Sequence, residues 1–469
     1  MESFSGIRGV YGQGITEGRA YLYGLTYCRL FKKKGGVLVI SGDSRPSTPS
    51  LKKAMIKAFQ TAGVKKIIDI GIVPVQVCQY AVNKFKAQGG AYISASHNEP
   101  EYNGWKLLKK DGALIYTKDS GKLITAVHKC RNVEMSKCRN VAATIVNKHK
   151  EAIDNYINYI LSRIGKKAVM AIKKMKPRIL LDPNGGAAIT VLDKICQKLG
   201  VKAEIINDKL GVFNRLIEPN VKSLAYLEDK LKNGDFAFAA GFDADADRME
   251  IVINPESRFA KEMGPAISGQ YVLALACDAM LSGTQNQIVT TNDATSYLVR
   301  DTIKKHKATM QEVEVGEMPV VEGMEKNKSI IGGEGSNGGV IIPPIKCRDG
   351  IMTIALILKL MAQNKKSLEE ILDSYPKYYE AITKVNCSPE KSLGIKSEAE
   401  KYFRAHGYKI KKTGDKDGGL KALIDPENFV WFRQSRTEPG VFRILSEGNN
   451  KQKVEKLLAE GVKVFNLHP

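Results

Sequence analysis

Three aspartates at alternating positions are the residues in this chain whose spacing most directly indicates chemistry. Asp243, Asp245 and Asp247 lie two residues apart within the segment 241–248. On an extended backbone, side chains two residues apart point to the same side, so these three carboxylates converge. Clustered carboxylates repel one another unless a cation joins them, and hard oxygen ligands suit Mg²⁺. The segment therefore predicts a magnesium site.

Other classes of acidic loop fit this segment less well. An EF-hand loop needs Gly at its sixth position and Glu at its twelfth, where this chain has Arg248 and Asn254. A haloacid-type phosphatase also begins Asp-x-Asp, but it normally has Thr or Val at the position of Asp247. A solvated acidic turn is disfavoured because apolar runs flank the triplet on both sides. A metal-dependent sugar phosphatase with Asp243 as the nucleophile stays an enzymatic alternative.

A serine stands in a loop of small residues that follows a short apolar run. Residues 91–93 predict a buried strand, and Ser96 and His97 lie in the loop before the turn pair Asn103-Gly104. Lys106 follows ten residues after the serine. A serine hydroxyl is a weak nucleophile unless a neighbouring group activates it. Taken alone, this segment is also compatible with an ordinary surface loop.

The loop at 433–440 contains residue types that bind anions. It offers the guanidinium groups of Arg433 and Arg436 and the hydroxyls of Ser435 and Thr437. Arginine is the planar, bidentate partner of phosphate. Because the loop holds no acid or base suited to bond-breaking, we interpret it as a phosphate cradle, with a charged hairpin turn as the alternative.

A glycine-rich loop lies at 332–339. Its pattern Gly333-x-Gly335-x-x-Gly338 is formally a dinucleotide-binding fingerprint. That fingerprint requires a helix to follow, and Pro343 and Pro344 are incompatible with one. We therefore reject dinucleotide binding.

In this order, the four loops resemble those of the α-D-phosphohexomutase family, which includes phosphoglucomutase, phosphomannomutase and phosphoglucosamine mutase. The resemblance runs from Gly6-Ile7-Arg8-Gly9 to 433–439 and so covers nearly the whole chain. It implies that Ser96 is the phosphorylated serine and that it binds one Mg²⁺ together with the three aspartates. It also implies interconversion of hexose 1-phosphate and hexose 6-phosphate through a sugar 1,6-bisphosphate, which serves as intermediate and activator.

The resemblance assigns further roles residue by residue. Arg8, His97 and Lys106 match the family's site arginine, histidine and lysine and are candidates for charge stabilisation or proton transfer, with acid and base left unassigned. Glu334 is implied to bind the 3- and 4-hydroxyls of the sugar. The Arg348–Gly350 turn is implied to be structural. The full set of implied substrate-binding residues is Arg248, Glu334, Ser336, Asn337, Arg433, Ser435, Arg436 and Thr437.

Two positions depart from the family's common pattern. The run Ser336-Asn337-Gly338 is closer to the Asn-Gly-Gly type of archaeal members than to the bacterial Ser-Gly-His type, so either Ser336 or Asn337 is the second hydroxyl ligand. Arg436 replaces a small Gly or Asn, which either adds a phosphate contact or crowds the cradle.

Strands and helices must alternate to position these loops. Val37–Ile40, a helix begun near Ser47 and stopped at Gly63, and Lys65–Ile70 form a βαβ unit, which implies a parallel sheet. The pattern recurs twice, and the last hundred residues indicate an antiparallel α+β domain. We predict an α/β fold with three similar mixed α/β domains plus a C-terminal α+β domain around a central cleft. The predicted phosphoserine-loop, metal-loop, sugar-loop and C-terminal phosphate-binding domains are 1–149, 150–255, 256–368 and 369–469.

The net positive charge of the chain is compatible with two classes of binding partner. The 72 basic and 50 acidic residues give a formal net charge of +22. Such a field serves nucleic-acid binding or attracts phosphorylated sugars. Basic residues are spread in twos and threes, with no aromatic-interleaved stripe. We therefore interpret the excess charge as lysine that is abundant on solvated helix faces, with attraction of phosphorylated sugars as a secondary effect. We expect a small phosphosugar partner and no nucleic acid, and a basic nucleic-acid-binding protein is the alternative of a different class.

The remaining composition indicates a cytoplasmic protein. No run approaches the ~18 apolar residues of a membrane span, and the N-terminus lacks signal-peptide character. Eight cysteines without CxxC spacing are typical of reduced thiols. An eight-residue repeat, Lys129–Val133 and Lys137–Val141, indicates a variable surface segment. The hexose (glucose, mannose or glucosamine) and the choice between monomer and homodimer stay open.

Overall fold

The computed structural model of this chain describes residues 2–3, 6–115, 117–129, 142–336, 338–435, 438 and 440–467. Strands and helices alternate through these residues and form four sheets, which confirms the predicted mixed α/β class. The repeat copy at Lys137–Val141 lies outside the described residues, as does most of the copy at Lys129–Val133. The chain forms two compact units: Met1–Ile267 with Gly338–Glu369, and Ser268–Asn337 with Glu370–Pro469. The four predicted domain boundaries stay predictions.

The first sheet has seven strands in the order β1-β2-β6-β5-β3-β4-β7. Parallel pairing links β5, β3, β4 and β7, and antiparallel pairing joins β6 to its two neighbours. The predicted βαβ unit is confirmed. The strands are β1 (Glu2–Ser3), β2 (Gly6–Val10), β3 (Val37–Gly42), β4 (Lys66–Ile72), β5 (Gly90–Ile93), β6 (Tyr102–Leu108) and β7 (Thr144–Asn147). The helices around it are α1 (Glu17–Leu30), α2 (Thr48–Thr61), α3 (Val75–Lys84) and α4 (Thr117–Lys129).

One apolar core holds the first sheet against α1 and α2. Its large side chains include Tyr23, Phe59 and Trp105, each essentially inaccessible to solvent. The rings of Tyr23 and Trp105 pack with their centroids 5.2 Å apart. Burial of one such side chain stabilises the fold by about 1.5–3 kcal/mol. This core fixes the sheet whose strands β2, β5 and β6 lead into the candidate site.

The pair Asn103-Gly104 lies inside β6, so the turn predicted there is wrong. Gly104 pairs with Arg8 of β2. A Cβ atom at Gly104 would lie 1.9 Å from the carbonyl oxygen of Ile7. Glycine thus permits the close approach of β2, and pairing on both sides of β6 overrides the local turn preference of Asn-Gly.

The second sheet has five strands in the order β12-β11-β10-β8-β9. Its strands are β8 (Arg178–Asp182), β9 (Lys202–Ile205), β10 (Ala239–Phe242), β11 (Met249–Val252) and β12 (Ala266–Ile267). The helices of this part are α5 (His149–Ile164), α6 (Lys166–Met175), α7 (Ile189–Leu199), α8 (Val221–Leu224), α9 (Leu227–Asn233) and α10 (Arg258–Met263). Strand β10 runs parallel to β8 and antiparallel to β11. The aspartate loop is the connection from β10 to β11.

The third sheet is parallel, in the order β14-β13-β15. Its strands are β13 (Ile288–Asn292), β14 (Thr309–Val313) and β15 (Ile331–Gly333). The accompanying helices are α11 (Gly269–Leu281), α12 (Tyr297–Lys305) and α13 (Glu317–Asn327). The next helices along the chain are α14 (Gly350–Asn364), which packs on α5 and α6, and α15 (Leu368–Asp373).

The fourth sheet is antiparallel, in the order β16-β20-β19-β18-β17, and confirms the α+β character predicted for the C-terminal part. Its strands are β16 (Tyr379–Asn386), β17 (Lys409–Lys412), β18 (Leu420–Asp425), β19 (Asn428–Gln434) and β20 (Val441–Gly448). Two helices, α16 (Pro389–Ala405) and α17 (Lys451–Asn466), complete it. The 433–440 loop connects β19 to β20, as predicted.

Two smaller predictions concern cysteines and membranes. The six cysteines within the described ranges are buried free thiols, and Cys130 and Cys138 lie outside those ranges. In the part of the chain that the structure describes, every helix falls short of the length and apolar character needed to cross a membrane.

Candidate active site

The carboxylates of Asp243, Asp245 and Asp247 converge where β10 ends. One oxygen from each lies within 4.8 Å of the others, and all three residues are buried. The backbone of the loop is held by α3, because the backbone N of Val75, the first residue of that helix, donates to the carbonyl of Asp245 at 3.1 Å. Ala246 adopts φ 60°, which turns the chain sharply between the last two aspartates. The predicted convergence of the three carboxylates is confirmed, but a turn produces it and not the extended backbone that was predicted.

The three carboxylates of this cluster repel one another, which is visible in the pKa of Asp243. Burial raises the pKa of Asp243 well above its ordinary value, and Asp247 and Asp245 raise it further. Burial also raises the pKa of Asp247, but the cations Lys106 and Arg348 outweigh burial and leave that pKa below its ordinary value. Asp245 Oδ1 and Asp247 Oδ1 are buried and accept no hydrogen bond from the described residues. These residues fit an oxygen-bound divalent cation.

The hydroxyl of Ser96 lies directly beside the acidic cluster. Ser96 Oγ donates to Asp243 Oδ2 at 3.2 Å. Its backbone N donates to Ser94 Oγ at 2.7 Å, and Ser94 Oγ donates to Asp245 Oδ2 at 3.2 Å. Ser96 has φ 55°, a left-handed conformation that is uncommon outside glycine and needs support from its surroundings. The structure therefore brings together the predicted serine and the predicted metal loop.

Arg45 supplies much of that support, although the sequence analysis did not single it out. Its Nη2 donates to the carbonyl of Ser96 at 2.8 Å and also to the carbonyl of Asn98. Its Nη1 pairs with Asp43, and both side chains are fully buried. Asp43 and Arg45 directly follow the parallel strand β3. Polar residues at the carboxyl end of such a strand are a signal that would have found them.

Two cations face the aspartates. Lys106, on β6, places Nζ 2.7 Å from Asp245 Oδ2 and 3.4 Å from Asp247 Oδ2. Arg348 Nη2 lies 3.7 Å from Asp247 Oδ1. The Arg348–Gly350 turn was expected to be structural, and its Asp349 does cap α14 by accepting from Met352 N at 2.9 Å. Its arginine, in contrast, belongs to the charged surroundings of the acidic cluster.

Arg8 and His97 complete the predicted catalytic set. Burial lowers the pKa of Arg8, and the carboxylates of Asp245 and Asp247 oppose that effect. Burial lowers the pKa of His97 to about 2, and the neighbouring cations Arg248 and Arg8 contribute. The imidazole is therefore neutral at physiological pH.

Arg248 follows the last aspartate and faces another loop of the same unit. Its backbone N donates to Asp243 Oδ1 at 3.2 Å. Its guanidinium pairs with Glu218. This arginine therefore lies next to the metal loop, and its substrate-binding role stays a prediction.

Glu334 and Ser336 of the predicted sugar loop lie in the second compact unit, and residues 338–339 of the same loop belong to the first. Glu334 follows β15, its side chain is buried, and its carbonyl accepts from Asn292 Nδ2 at 2.9 Å. Ser336 is exposed. Asn337 lies outside the described residues, so the choice between Ser336 and Asn337 stays open.

The predicted phosphate cradle begins at the end of β19. Arg433 is buried and places Nη2 2.8 Å from Glu314 Oε1. Ser435 N donates to the carbonyl of Val441 at 2.8 Å, and Ser435 Oγ accepts from Glu438 N at 3.1 Å. Two predicted members of the cradle lie outside the described residues: Arg436 and Thr437.

Comparison with known proteins agrees with this fold. Family models described as phosphoglucomutase/phosphomannomutase alpha/beta/alpha domains I, II and III match residues 3–134, 154–256 and 268–379. A phosphoglucomutase/phosphomannomutase of Thermococcus kodakarensis is 33% identical over 98% of this chain and 97% of its own length. A probable phosphoglucosamine mutase of Pyrococcus horikoshii is 30% identical over 97% of this chain and 95% of its own.

A solved structure shares the fold over the whole chain. It is a phosphoglucomutase/phosphomannomutase family protein of Burkholderia thailandensis, with a TM-score of 0.79, 19% identity, and coverage of 100% of this chain and 97% of that one. The family models and the two relatives identify the chain as an isomerase of the phosphohexomutase type. The chain belongs to the phosphoglucomutase/phosphomannomutase family.

Proposed function

We propose that this chain interconverts hexose 1-phosphate and hexose 6-phosphate with Ser96 as the phosphoryl carrier. The observation that supports this most strongly is the 3.2 Å contact of Ser96 Oγ with Asp243. It places a hydroxyl held in a left-handed backbone next to three buried carboxylates. A phosphoryl group on that oxygen would add negative charge to a cluster that already requires a cation.

Asp243, Asp245, Asp247 and an oxygen of phosphoserine 96 are the proposed ligands of one Mg²⁺. When bound there, the ion neutralises charge on the transferring phosphoryl group. The donor set is all oxygen, buried, and includes carboxylate oxygens without hydrogen bonds from the described residues. These features are what a hard divalent cation requires.

The transfer is written with Ser96 as donor and a sugar hydroxyl as acceptor. The bond from phosphorus to Ser96 Oγ breaks, a bond from phosphorus to the sugar oxygen forms, and the hydroxyl proton passes to a base. The resulting 1,6-bisphosphate reorients and returns its other phosphoryl group to Ser96. Lys106 and Arg8 are proposed to stabilise negative charge. His97, neutral because of its low pKa, is proposed to act as a hydrogen-bonding partner.

The phosphate that is not being transferred is proposed to bind the loop after β19, with Arg433, Ser435, Arg436 and Thr437 as donors. Glu334, with Ser336 or Asn337, is proposed to bind sugar hydroxyls, and Arg248 to contact the substrate near the metal loop. Binding energy at such remote contacts orients the reacting hydroxyl.

Glucose and mannose phosphates are the proposed substrates, because the 33%-identical relative bears both names. Glucosamine phosphate is the second candidate, from the name of the 30%-identical relative. Turnover of the three 1-phosphates in parallel coupled assays ranks these candidates.

The decisive variant is Ser96→Ala. We expect it to lose turnover and to keep binding of sugar phosphate, measured by calorimetry, because the carrier oxygen is lost and the binding groups remain. Ser162→Ala, an exposed serine on α5, is the control and should be as active as wild type. Full mutase activity of Ser96→Ala would refute the assignment. Release of inorganic phosphate as the main wild-type product would instead favour the phosphatase with Asp243 as nucleophile.

A further inference from the structure

Three cations stand side by side on the fourth sheet where the phosphate loop begins. Arg433 of β19 is directly opposite Arg443 of β20, and Arg443 is directly opposite Lys384 of β16. Residues opposite each other in an antiparallel sheet project from the same face, and like charges there destabilise the sheet. This row therefore requires anions close by.

Two carboxylates of the same compact unit meet that requirement. Glu438 lies 2.6 Å from Arg443 Nη2 and 2.9 Å from Lys384 Nζ. Glu314, just after β14, lies 2.8 Å from Arg433 Nη2. The second pair is the more deeply buried, with side chains 10% and 7% exposed.

The chain makes room for Glu314 at this place. A Cβ atom at Gly414, in the turn between β17 and β18, would lie 2.3 Å from Glu314 Oε2. Arg433 Nη2 also donates to the carbonyl of Val315 at 3.2 Å. The guanidinium is thus held from the β14 side by one carboxylate and one carbonyl, in a largely desolvated environment.

We propose that Glu314 is a built-in competitor of the substrate phosphate for Arg433, and that it sets the affinity of the phosphate cradle. This inference rests on the proposed function, in which Arg433 binds the phosphate that is not transferred. Glu314 acts through Arg433 and is a positioning residue. A mutase must let go of each phosphate in turn to exchange the two ends of its intermediate. A carboxylate that pairs with the same guanidinium lowers the affinity for the phosphate and favours its release.

The negative charge of Glu314 determines whether its removal strengthens or weakens phosphate binding. Two anions that share one guanidinium are about 5 Å apart, and at an effective dielectric constant of about 20 their repulsion is strong enough to change a binding constant at least about tenfold. Glu314→Gln keeps an oxygen that accepts from Arg433 and removes the negative charge. Glu314→Met is a second neutral variant of similar length. Glu314→Asp keeps the charge.

The experiment measures inhibition by inorganic phosphate, competitive with the hexose 1-phosphate that wild type turns over fastest. We expect both neutral variants to lower the inhibition constant and KM about tenfold, with kcat unchanged or reduced because release slows. Glu314→Asp should stay within about threefold of wild type, since it keeps the competing charge. Equal or weaker phosphate binding in the folded neutral variants would overturn the inference.

A matched control comes from the same strand. Glu312 also pairs with the fourth sheet, at 2.6 Å from Lys421 Nζ and with Lys411. These partners lie on β18 and β17, and the phosphate loop joins β19 to β20. Glu312→Gln should leave KM and phosphate inhibition as in wild type. If it tightens phosphate binding as much as Glu314→Gln, the effect is general and the inference is wrong. A wild type without mutase activity would instead refute the proposed function, so the two failures are distinguishable.

Discussion

The guanidinium of Arg45 donates a 2.8 Å hydrogen bond to the carbonyl oxygen of Ser96, 51 residues further along the chain. The same nitrogen reaches the carbonyl of Asn98, and the other terminal nitrogen pairs with buried Asp43. One planar side chain therefore connects the loop after β3 to the loop after β5. Because Ser96 holds a left-handed backbone conformation, this connection determines where its hydroxyl points.

We predict that Arg45→Lys lowers kcat about 10- to 100-fold with a smaller change in KM. Lysine keeps the charge opposite Asp43, but its compact ammonium does not reproduce the fork that reaches both carbonyls. A displacement of the serine by about 1 Å is enough for a loss of that size. Steady-state kinetics measure kcat and KM, and urea unfolding measures the free energy of unfolding. The two measurements together separate a loss of catalysis from a loss of stability. Arg163→Lys, an exposed arginine that donates to the carbonyl of Pro343, is the control. Wild-type kcat in Arg45→Lys would show that the contact does not position Ser96.

Residues whose role follows from their spacing along the chain could be predicted from the sequence. The alternation of Asp243, Asp245 and Asp247 predicted their convergence, but the extended backbone assumed for them is wrong: residues 244–247 form a turn with Ala246 at φ 60°. Apolar runs predicted strands within a few residues; the strand expected at Lys65–Ile70 is β4, Lys66–Ile72. The class of reaction followed from the resemblance of four loops in order.

Roles that depend on distant partners could not be predicted in this way. Glu314 looks like an ordinary charged residue until the fold places it against Arg433, and the position of Arg45 after β3 does not reveal its contact with Ser96. Asn103-Gly104 was expected to form a turn, because local propensity ignores the strand pairing that places it within β6. In each case the deciding contact lies far away along the chain.

Removal of the divalent cation should abolish turnover. We predict that a chelator stops activity, that Mg²⁺ restores it, and that Asp245→Asn raises the Mg²⁺ concentration for half-maximal activity at least about tenfold, since the site loses one of three anionic ligands. Mg²⁺ at 100 times its Kd should also stabilise wild type by about 2.7 kcal/mol, seen as a higher Tm, and do so less for the variant. Asp69→Asn, a partly exposed aspartate paired with Lys52, is the control. An unchanged Mg²⁺ dependence in Asp245→Asn would contradict the proposed metal loop.

A methyl group at Gly104 should loosen the strand that carries Arg8. Its Cβ would lie 1.9 Å from the carbonyl oxygen of Ile7, so β2 must move. We predict that Gly104→Ala lowers the free energy of unfolding by about 1–3 kcal/mol and also lowers kcat. Denaturant unfolding with an unchanged m-value measures the first effect. Gly121→Ala in α4 meets no atom within 4 Å among the described residues and should stabilise the protein by up to about 1 kcal/mol. Equal stability of the two variants would argue against close packing at Gly104.

The stability of the second compact unit should depend on pH through Glu447. Burial raises the pKa of this carboxyl, and Glu380, directly opposite on β16, adds to the increase, so that the resulting pKa is about 7. Tyr297 N donates to its Oε1 at 2.7 Å, which opposes the shift without cancelling it. The folded state therefore holds a proton that the unfolded state releases between about pH 4.5 and pH 7. Stability from this group is complete below about pH 4.5 and is lost as the pH rises to about 7, by roughly 3 kcal/mol in total.

Glu447→Gln keeps the size of the side chain and imitates its protonated form. We predict that the variant matches wild type near pH 4.5 and exceeds it by up to roughly 3 kcal/mol above pH 7. Urea unfolding at a series of pH values, followed by a probe in the second unit such as Trp431 fluorescence, measures the difference. Glu455→Gln, an exposed glutamate on α17, should follow the wild-type profile. If Glu447→Gln and wild type differ by a constant amount at every pH, then the pKa of Glu447 is the same in the folded and unfolded states, and its burial is compensated by its neighbours rather than by a proton.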